Sequence, residues 1–269
     1  MSRTLVATAL LLSCALPLGA QSAYGSSGDT LRYREVTQGK LTLTGPQGDI
    51  PISIEQRSQI AVVRMRGDSA RAWYDSLALA ASSPAGDQRP ATDSALKQPF
   101  RLAFDPRGHV KLVQAPTFPK SFEGMTDLSH QFDDFFLRLP AKPLTVGLAW
   151  SDSASRTDST AEKFTRWATN ADYRVERDTV VDGTPAMIIA VKQRVKIAGE
   201  GPVPNQPLRA TSAMDGTEEG FFVFAPKAGR VIARRRSGHL EGDIFMKGAM
   251  GEMTMKQAYS FTGTVDAVR

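Results

Sequence analysis

The chain has 269 residues, a formal net charge of +5 and a single cysteine. Because that cysteine is Cys14, a chain processed after residue 20 has no disulfide, no thiol nucleophile and no thiolate metal site. About 245 residues then remain, which suits one β-rich domain. The one basic run, at 234–236, lacks the interleaved aromatic residues of a single-strand nucleic-acid groove. We therefore expect this run on a solvated strand face, and no nucleic-acid partner.

The amino-terminal residues 1–20 have the pattern of an export signal. Arg3 gives a short basic start, an almost unbroken apolar run follows, and small residues precede Gln21. Cleavage after Ala20 predicts a periplasmic or secreted protein. Two alternatives remain open: lipid attachment at Cys14, where the preceding residues loosely resemble a lipobox, and an uncleaved amino-terminal anchor. No later segment approaches the roughly 20 apolar residues of a spanning helix.

The rest of the chain alternates between apolar and polar residues with a period of two, which predicts antiparallel strands. After a flexible lead-in over 21–29, a single β-rich domain is expected over 30–269. Turn residues at Gly45–Gly48 and Asp105–Gly108 predict two hairpins, and the dipeptide Asp182-Gly183 predicts a third.

Two segments depart from the strand pattern. Residues 82–98 are rich in Ser, Pro, Asp and Ala, which predicts a long exposed loop. In the second segment, apolar residues recur at i, i+3 and i+4 before a proline, which predicts an amphipathic helix over 126–139. His130 and Asp134 are expected on its polar side. The predicted apolar face consists of Met125, Leu128, Phe132, Phe135, Phe136 and Leu139.

No catalytic constellation can be assembled from the sequence. The histidines are His109, His130 and His239, and no G-x-S-x-G motif accompanies them. We expect each of them to be solvated rather than to act as a base. A metal site from His130, Asp133 and Asp134 would fit helical spacing, but such acidic helix faces are usually solvated. The sequence therefore predicts a non-enzyme without a metal or other cofactor.

A methionine cluster near the carboxyl end leaves two interpretations open. Thioethers bind Cu(I) or Ag(I), and methionine also fits irregular apolar interiors. Part of the cluster shares one strand face with two aromatic residues, which favours an inward-facing stripe. The cluster consists of Met246, Met250, Met253 and Met255. The residues that share one strand face are Met253, Met255, Tyr259 and Phe261.

Several motifs resemble an uncharacterised family of exported bacterial proteins. They are P-x-x-V-G-x-x-W at Pro143–Trp150 and G-F-F-V-F-A-P-K-A-G-R-V at Gly220–Val231. The family's usual acidic residue after the first glycine is replaced by Leu148. More distantly, a curved antiparallel sheet with a helix on its concave face resembles the lipoprotein-carrier superfamily of periplasmic lipid-binding half-barrels. That likeness is architectural, and it implies that the interior binds lipid.

These observations predict a mainly β fold: an antiparallel, strongly curved sheet, as a half-barrel or open barrel, with one amphipathic helix packed on it. The predicted function is a non-catalytic cell-envelope protein that binds a lipid or another apolar ligand. Three alternatives remain open. The same apolar residues could fill a closed core, the chain could be an envelope scaffold without a small ligand whose partner is another envelope protein, or the methionines could bind a soft metal. The candidate ligand-binding residues are Phe132, Phe135, Phe136, Trp150, Met253, Met255, Tyr259 and Phe261.

Overall fold

The fold is one sheet of long antiparallel strands. In the computed structural model, twelve strands form this sheet, and the helical structure of the described residues is limited to short 3-10 turns. The predicted export signal and its alternatives lie outside the described residues. The structure describes residues 23–25, 28–65, 68–119, 122, 128–160, 162–203, 208–248 and 251–268.

Most strands pair with their neighbours in the chain, and β1 pairs with β12. The order across the sheet is β6-β5-β3-β2-β1-β12-β11-β10-β9-β8-β7, and the short β4 pairs with β3. The first and last strands of the domain therefore meet in the middle of the sheet. The strands are β1 (Thr30–Gly45), β2 (Gly48–Arg64), β3 (Ser69–Ser83), β4 (Gly86–Gln88), β5 (Phe100–Phe104), β6 (Val110–Gln114), β7 (Ala149–Ser159), β8 (Phe164–Val181), β9 (Thr184–Pro202), β10 (Leu208–Ala225), β11 (Arg230–Gly248) and β12 (Gly251–Val268).

All three predicted hairpins are confirmed. Gly45 pairs with Gly48 across the first turn, and β5 returns as β6 after the second. At the third turn, Asp182 and Gly183 have φ values of 48° and 77°. Both central residues therefore have the positive φ of a type I′ turn, the turn that matches the twist of a hairpin.

Each strand turns alternate side chains to an inner and an outer face. On β1, Tyr33 and Glu35 are only 1% and 2% exposed. Arg34 between them and Arg32 before them are exposed. The inner face is the one against which residues 128–148, the crossing segment, are packed. The interior of the protein is therefore enclosed by a single layer of strands around one irregular segment.

The predicted helix over 126–139 is wrong. The segment forms a 3-10 turn at Leu128–His130 and then further turns, with i to i−3 hydrogen bonds such as Asp133 N–H to His130 O at 3.1 Å. Residues 126 and 127 lie outside the described part of the chain. Leu137 and Arg138 are 0% and 4% exposed, so the segment has contacts all round rather than along one stripe. These tertiary contacts outweigh the helix propensity of the segment, which is low because aromatic residues are weak helix formers.

The described residues of the predicted apolar face, from Leu128 to Leu139, are nevertheless buried at one end of the interior; Met125 lies outside the described part of the chain. Phe135 packs edge-on against Tyr33 at 5.3 Å between ring centroids, and Phe136 packs against Phe104 at 4.7 Å. Such edge-to-face pairs stabilise a core beyond the area they bury. We call this cluster the aromatic core: Tyr24, Tyr33, Phe100, Phe104, Phe132, Phe135, Phe136 and Phe224.

The segment 82–98 is mostly exposed but more ordered than the predicted loop. Its first part contains β4, which pairs with β3. A 3-10 turn at Asp93–Ala95 follows, in which Ala95 is fully buried, and Leu96 forms a bridge with Tyr74. The carboxyl half of the segment is therefore fixed to the core.

The two edges of the sheet meet without pairing as strands. On a flat sheet, the eleven strands from β6 to β7 would separate these edges by about 48 Å, at ~4.8 Å per strand. His109, in the turn before β6, instead lies 2.7 Å from Asp105 and 3.1 Å from Asp152 of β7. The sheet is therefore rolled, although it is not closed by backbone hydrogen bonds.

A second histidine contacts the same edge strand. His130 of the crossing segment lies 3.3 Å from Asp133 and 3.1 Å from Asp158 of β7. We call the contacts of His109 and His130 with β7 the seam.

Replacing His109→Ala is expected to loosen the seam. Amide hydrogen exchange in β7 and in the β5–β6 hairpin should become about two- to fivefold faster, as expected for the loss of a partly exposed ion pair worth about 0.4–1 kcal/mol. Exchange in β1, β11 and β12 should not change.

His239→Ala is the control, because His239 also contacts a carboxylate but lies exposed in the middle of the sheet. Equal exchange rates of β7 in the two variants would show that His109 does not hold the edges together.

Candidate functional site

Three zones follow one another along the inner face. On β1, Tyr33 belongs to the aromatic core, Glu35 is the buried charged residue beyond it, and Leu41 and Leu43 are half-buried apolar residues farther along. The middle zone combines inward-facing polar residues of the sheet with polar residues of the crossing segment. We call it the polar belt: Glu35, Gln56, Ser58, Gln131, Asp134, Arg138, Glu218, Arg234 and Arg236.

Arg234 joins the crossing segment to the sheet. Its Nη1 donates to the backbone oxygen of Asp134 at 2.6 Å, and its Nη2 donates to Glu218 Oε1 at 3.0 Å and Asp134 Oδ2 at 3.3 Å. Burial raises the pKa of the Asp134 carboxyl, but Arg234 and Arg236 outweigh burial and hold this pKa well below its usual range. Asp134 is therefore a carboxylate with guanidinium groups on two sides.

Glu35 is in a different electrostatic environment. Its Oε2 accepts hydrogen bonds from Gln131 Nε2 at 2.6 Å, Ser58 Oγ at 3.2 Å and Gln56 Nε2 at 3.4 Å. Burial raises the pKa of Glu35, and the positive charge of Arg236 and these hydrogen bonds offset the effect only in part. The belt thus contains one carboxyl group that binds a proton more readily in the folded state.

Beyond the belt, most inward-facing residues are apolar and lie outside the packed core. Those that form this apolar surface belong to no cluster of buried apolar side chains in the described part of the chain. Leu240 and Met255 are buried and the other residues of the surface are half-buried, while Gln257, 7% exposed, faces inward between Met255 and Tyr259. We call this surface the groove: Leu41, Leu43, Ile52, Ile54, Met214, Leu240, Ile244, Met246, Met255, Tyr259 and Phe261.

Glycines keep the wall of the groove thin. A Cβ atom at Gly216 would lie 2.0 Å from His239 O, and one at Gly242 would lie 1.8 Å from Ala213 O. Only glycine permits this approach of β10 and β11. One glycine occurs in each of four successive inward pairs: Met214 with Gly242, Gly216 with Leu240, Glu218 with Gly238, and Gly220 with Arg236.

The aromatic residues of the groove lie over glycines of neighbouring strands. The hydroxyl of Tyr259 lies 2.6 Å from where a Cβ of Gly39 would be, and Phe261 covers Gly238 at 2.5 Å. The two rings stack on each other at 5.5 Å. They therefore fill the places that side chains at Gly39 and Gly238 would occupy.

The structure divides the predicted ligand-binding residues between two zones. Phe132, Phe135 and Phe136 are 2%, 2% and 5% exposed in the aromatic core. Met255, Tyr259 and Phe261 instead face the groove. Met253 lies on the same face of the sheet at the rim of the groove and is 41% exposed. Phe261 pairs with Gly39 of β1, and Phe135 packs on Tyr33 of β1. Gly39 and Tyr33 are about 20 Å apart along the strand. These residues do not form one site.

Trp150 belongs to neither group of ligand-binding residues. Its ring stacks on Tyr173 at 5.1 Å, and its Nε1 donates to Arg138 O at 3.0 Å. The indole group therefore packs at the edge of the core and fixes the crossing segment to β7.

Sequence reasoning missed the polar belt. The run Arg234–Arg236 was expected on a solvated face, but Arg234 and Arg236 face inward and only Arg235 faces outward. His130 and Asp134, expected on the solvated side of a helix, are bound by Asp158 and Arg234. The available signal was period two itself, which places alternate residues of a basic run on opposite faces.

One outward-facing group contains a hydroxyl, an imidazole and a carboxylate. His239 Nδ1 lies 2.8 Å from Ser260 Oγ, and its Nε2 lies 2.7 Å from Glu241 Oε1. Ser260 also borders a depression of about 500 Å³ with Lys40 and Glu55. The side chains of His239 and Glu241 are 52% and 71% exposed. The group lacks the shielding from water that makes preorganised dipoles effective in catalysis.

The described residues contain no group of three or more His, Cys, Asp or Glu side chains that could hold a metal ion. Met246 and Met253 pair across β11 and β12, and Met255 lies on the same face. Met250 lies outside the described part of the chain.

No helix among the described residues combines the length and the apolar composition that a membrane span requires.

Comparison with known proteins shows no family for this chain. No family model matches it, and no curated protein matches it. Among solved structures, Neisserial surface protein A aligns with 90% of this chain and 98% of its own, at 9% identity and a TM-score of 0.24. The translocator domain of autotransporter NalP from Neisseria meningitidis aligns with 90% of this chain and 89% of its own, at 7% identity and 0.21. The alignment with Pseudomonas aeruginosa OpdK with vanillate covers 91% of this chain and 100% of the OpdK chain, at 7% identity and a TM-score of 0.17. These scores carry no conclusion about this chain, and the two resemblances noted in its sequence stay predictions.

The variant Glu35→Gln is expected to gain stability relative to the wild type as the pH rises. The folded state raises the pKa of Glu35, so its contribution is full below the unfolded value of about 4.3 and is lost as the pH rises through the folded value. The amide avoids this loss. Urea denaturation at pH 4 and pH 7.5 measures the difference in the free energy of unfolding.

Glu55→Gln on the outer face of β2 is the matched control. A hydrogen bond from Arg57 lowers the pKa of Glu55, so this difference should change with pH in the opposite direction. If both variants show the same pH dependence, burial of Glu35 is not its cause.

Proposed function

We propose that this chain is an exported, non-catalytic cell-envelope protein that binds a long apolar chain, such as the acyl chain of a lipid, in the groove. One observation carries the proposal: a wall of inward-facing apolar side chains, interrupted on β12 by Gln257, lies outside the packed core. Burial of such a surface stabilises by about 25 cal/mol per Å². A protein therefore rarely leaves an extended concave apolar surface without a use.

The dimensions and composition of the groove favour a long, flexible ligand. From Phe261 to the rim at Met253, the wall extends for about 26 Å at ~3.3 Å per residue. Polar side chains are sparse along it, whereas Met214, Met246 and Met255 supply adaptable thioethers. An alkyl chain needs such a surface and no directional contacts along its length.

Two further features support the other parts of the proposal. The signal pattern at 1–20 supports export. The exposure of the His239 group supports a non-catalytic function, because water competes there for every hydrogen bond that would activate Ser260.

Binding can be tested with Nile red, a neutral apolar dye, and with hexadecanol as the competitor. The purified protein should raise the dye's fluorescence, and hexadecanol should displace the dye. Ile244→Gln should weaken both ligands about tenfold, since it places an unpaired polar group on the wall of the groove.

Phe245→Gln is the matched control, because Phe245 is the next residue of β11, faces outward and is 55% exposed. Its affinities should equal those of the wild type. The proposal is wrong if hexadecanol displaces no dye from the wild type, or if the two variants behave alike.

A further inference from the structure

Arg236 lies where the polar belt meets the groove. Its guanidinium carbon is 5.3 Å from the ring centroid of Phe261, a groove residue. On the belt side, its Nη1 is 3.6 Å from Asp134 Oδ2, beyond hydrogen-bond distance. The side chain is 19% exposed. Arg236 is therefore a cation that a ligand in the groove can reach.

Three guanidinium groups lie around one carboxylate at this point. Arg138, Arg234 and Arg236 all depress the pKa of Asp134, so all three lie close to it. Arg234 also binds Glu218. Glu35 lies near Arg234 and Arg236 as well, where burial raises its pKa and their positive charge lowers it. Arg236 therefore shares Asp134 with two other guanidinium groups.

The same arginines have hydrogen-bonding capacity that the described residues do not use. Arg138 and Arg234 are each 4% exposed. Nη1 of Arg138 and Nε of Arg234 are buried and have no hydrogen-bond partner in the described part of the chain. Buried donors without acceptors are unfavourable and rare in folded proteins. An anion close to these groups would offset part of this cost.

From this geometry we infer that the groove selects an anionic amphiphile, whose carboxylate or phosphate head group binds Arg236 at the belt while its apolar chain extends to the rim. Arg138 and Arg234 lie behind Arg236 and contribute positive potential. The inference rests on the proposed function and adds the head-group chemistry and the direction of the ligand.

Displacement of Nile red from the wild type by hexadecanoate and by hexadecanol tests this inference. The two ligands share one chain and differ only in the charge of the head group. Hexadecanoate should bind about tenfold more tightly, as expected for hydrogen bonds to a charged group. Hexadecyl phosphate should share this advantage, and acetate or inorganic phosphate alone should displace no dye, because neither has a chain.

Arg236→Gln should reduce the advantage of hexadecanoate to about twofold or less while the affinity for hexadecanol stays the same, and Arg236→Lys should restore part of it. Arg209→Gln is the matched control. Arg209 faces outward on β10 and is paired with Glu200, so its removal should change neither affinity. Circular dichroism and thermal unfolding verify that each variant is folded.

The outcomes separate the two proposals. Equal affinities of the wild type for hexadecanoate and hexadecanol overturn the head-group inference and leave chain binding intact. Binding of neither ligand overturns the proposed function. An acid preference that persists in Arg236→Gln also overturns the assignment to Arg236. If that variant does not fold, the ratio of the two affinities in the wild type decides the question.

Discussion

The buried guanidinium of Arg234 fixes where the crossing segment lies along the strands of the sheet. The three zones of the inner face depend on that position. It binds Asp134 of the segment and Glu218 of β10, with its side chain 5% exposed. A buried ion pair contributes little net stability, but loss of one partner costs about 3–5 kcal/mol because a charge is left uncompensated. The interaction therefore specifies where the segment lies, more than how stable the protein is.

The position of the segment determines which inward-facing residues become core. Phenylalanines of the segment meet Tyr33 and Phe104 on one side of the polar belt. On the other side the wall belongs to no cluster of buried apolar side chains among the described residues, and Leu41, Ile54 and Ile244 stay half-buried. The same type of side chain thus fills a core in one zone and lines an open surface in the next.

The rolled shape of the sheet has a separate physical origin. Glycines opposite large inward-facing residues let β10 and β11 approach closely, so their wall bends without crowding its inner side. His109 of the opposite edge and His130 of the crossing segment then hold the edge strand β7 by contacts with Asp152 and Asp158. These contacts contribute modestly because they are partly exposed, but they lie where the sheet has no backbone ladder to hold it.

Local sequence predicted the hairpins because a turn depends on a few adjacent residues, such as Asp182 and Gly183 with their positive φ values. It failed over 126–139, where the i, i+3, i+4 period was correct about burial and wrong about conformation. Phe132 and Phe135 are buried from several directions at once, so tertiary contacts replaced the helical ladder. Of the candidate ligand-binding residues, Met255, Tyr259 and Phe261 face the groove, whereas the phenylalanines belong to the core.

By itself, the sequence determined the strand content, the three turns and the alternation of faces, since these follow from the period of two and from the φ preferences of single residues. Only the tertiary structure decided that Arg234 and Arg236 face the interior beside Asp134, about a hundred residues away in the chain. It also decided where the core ends and the groove begins. Those features depend on charges and side-chain volumes that meet across a rolled sheet, and no local pattern encodes such long-range contacts.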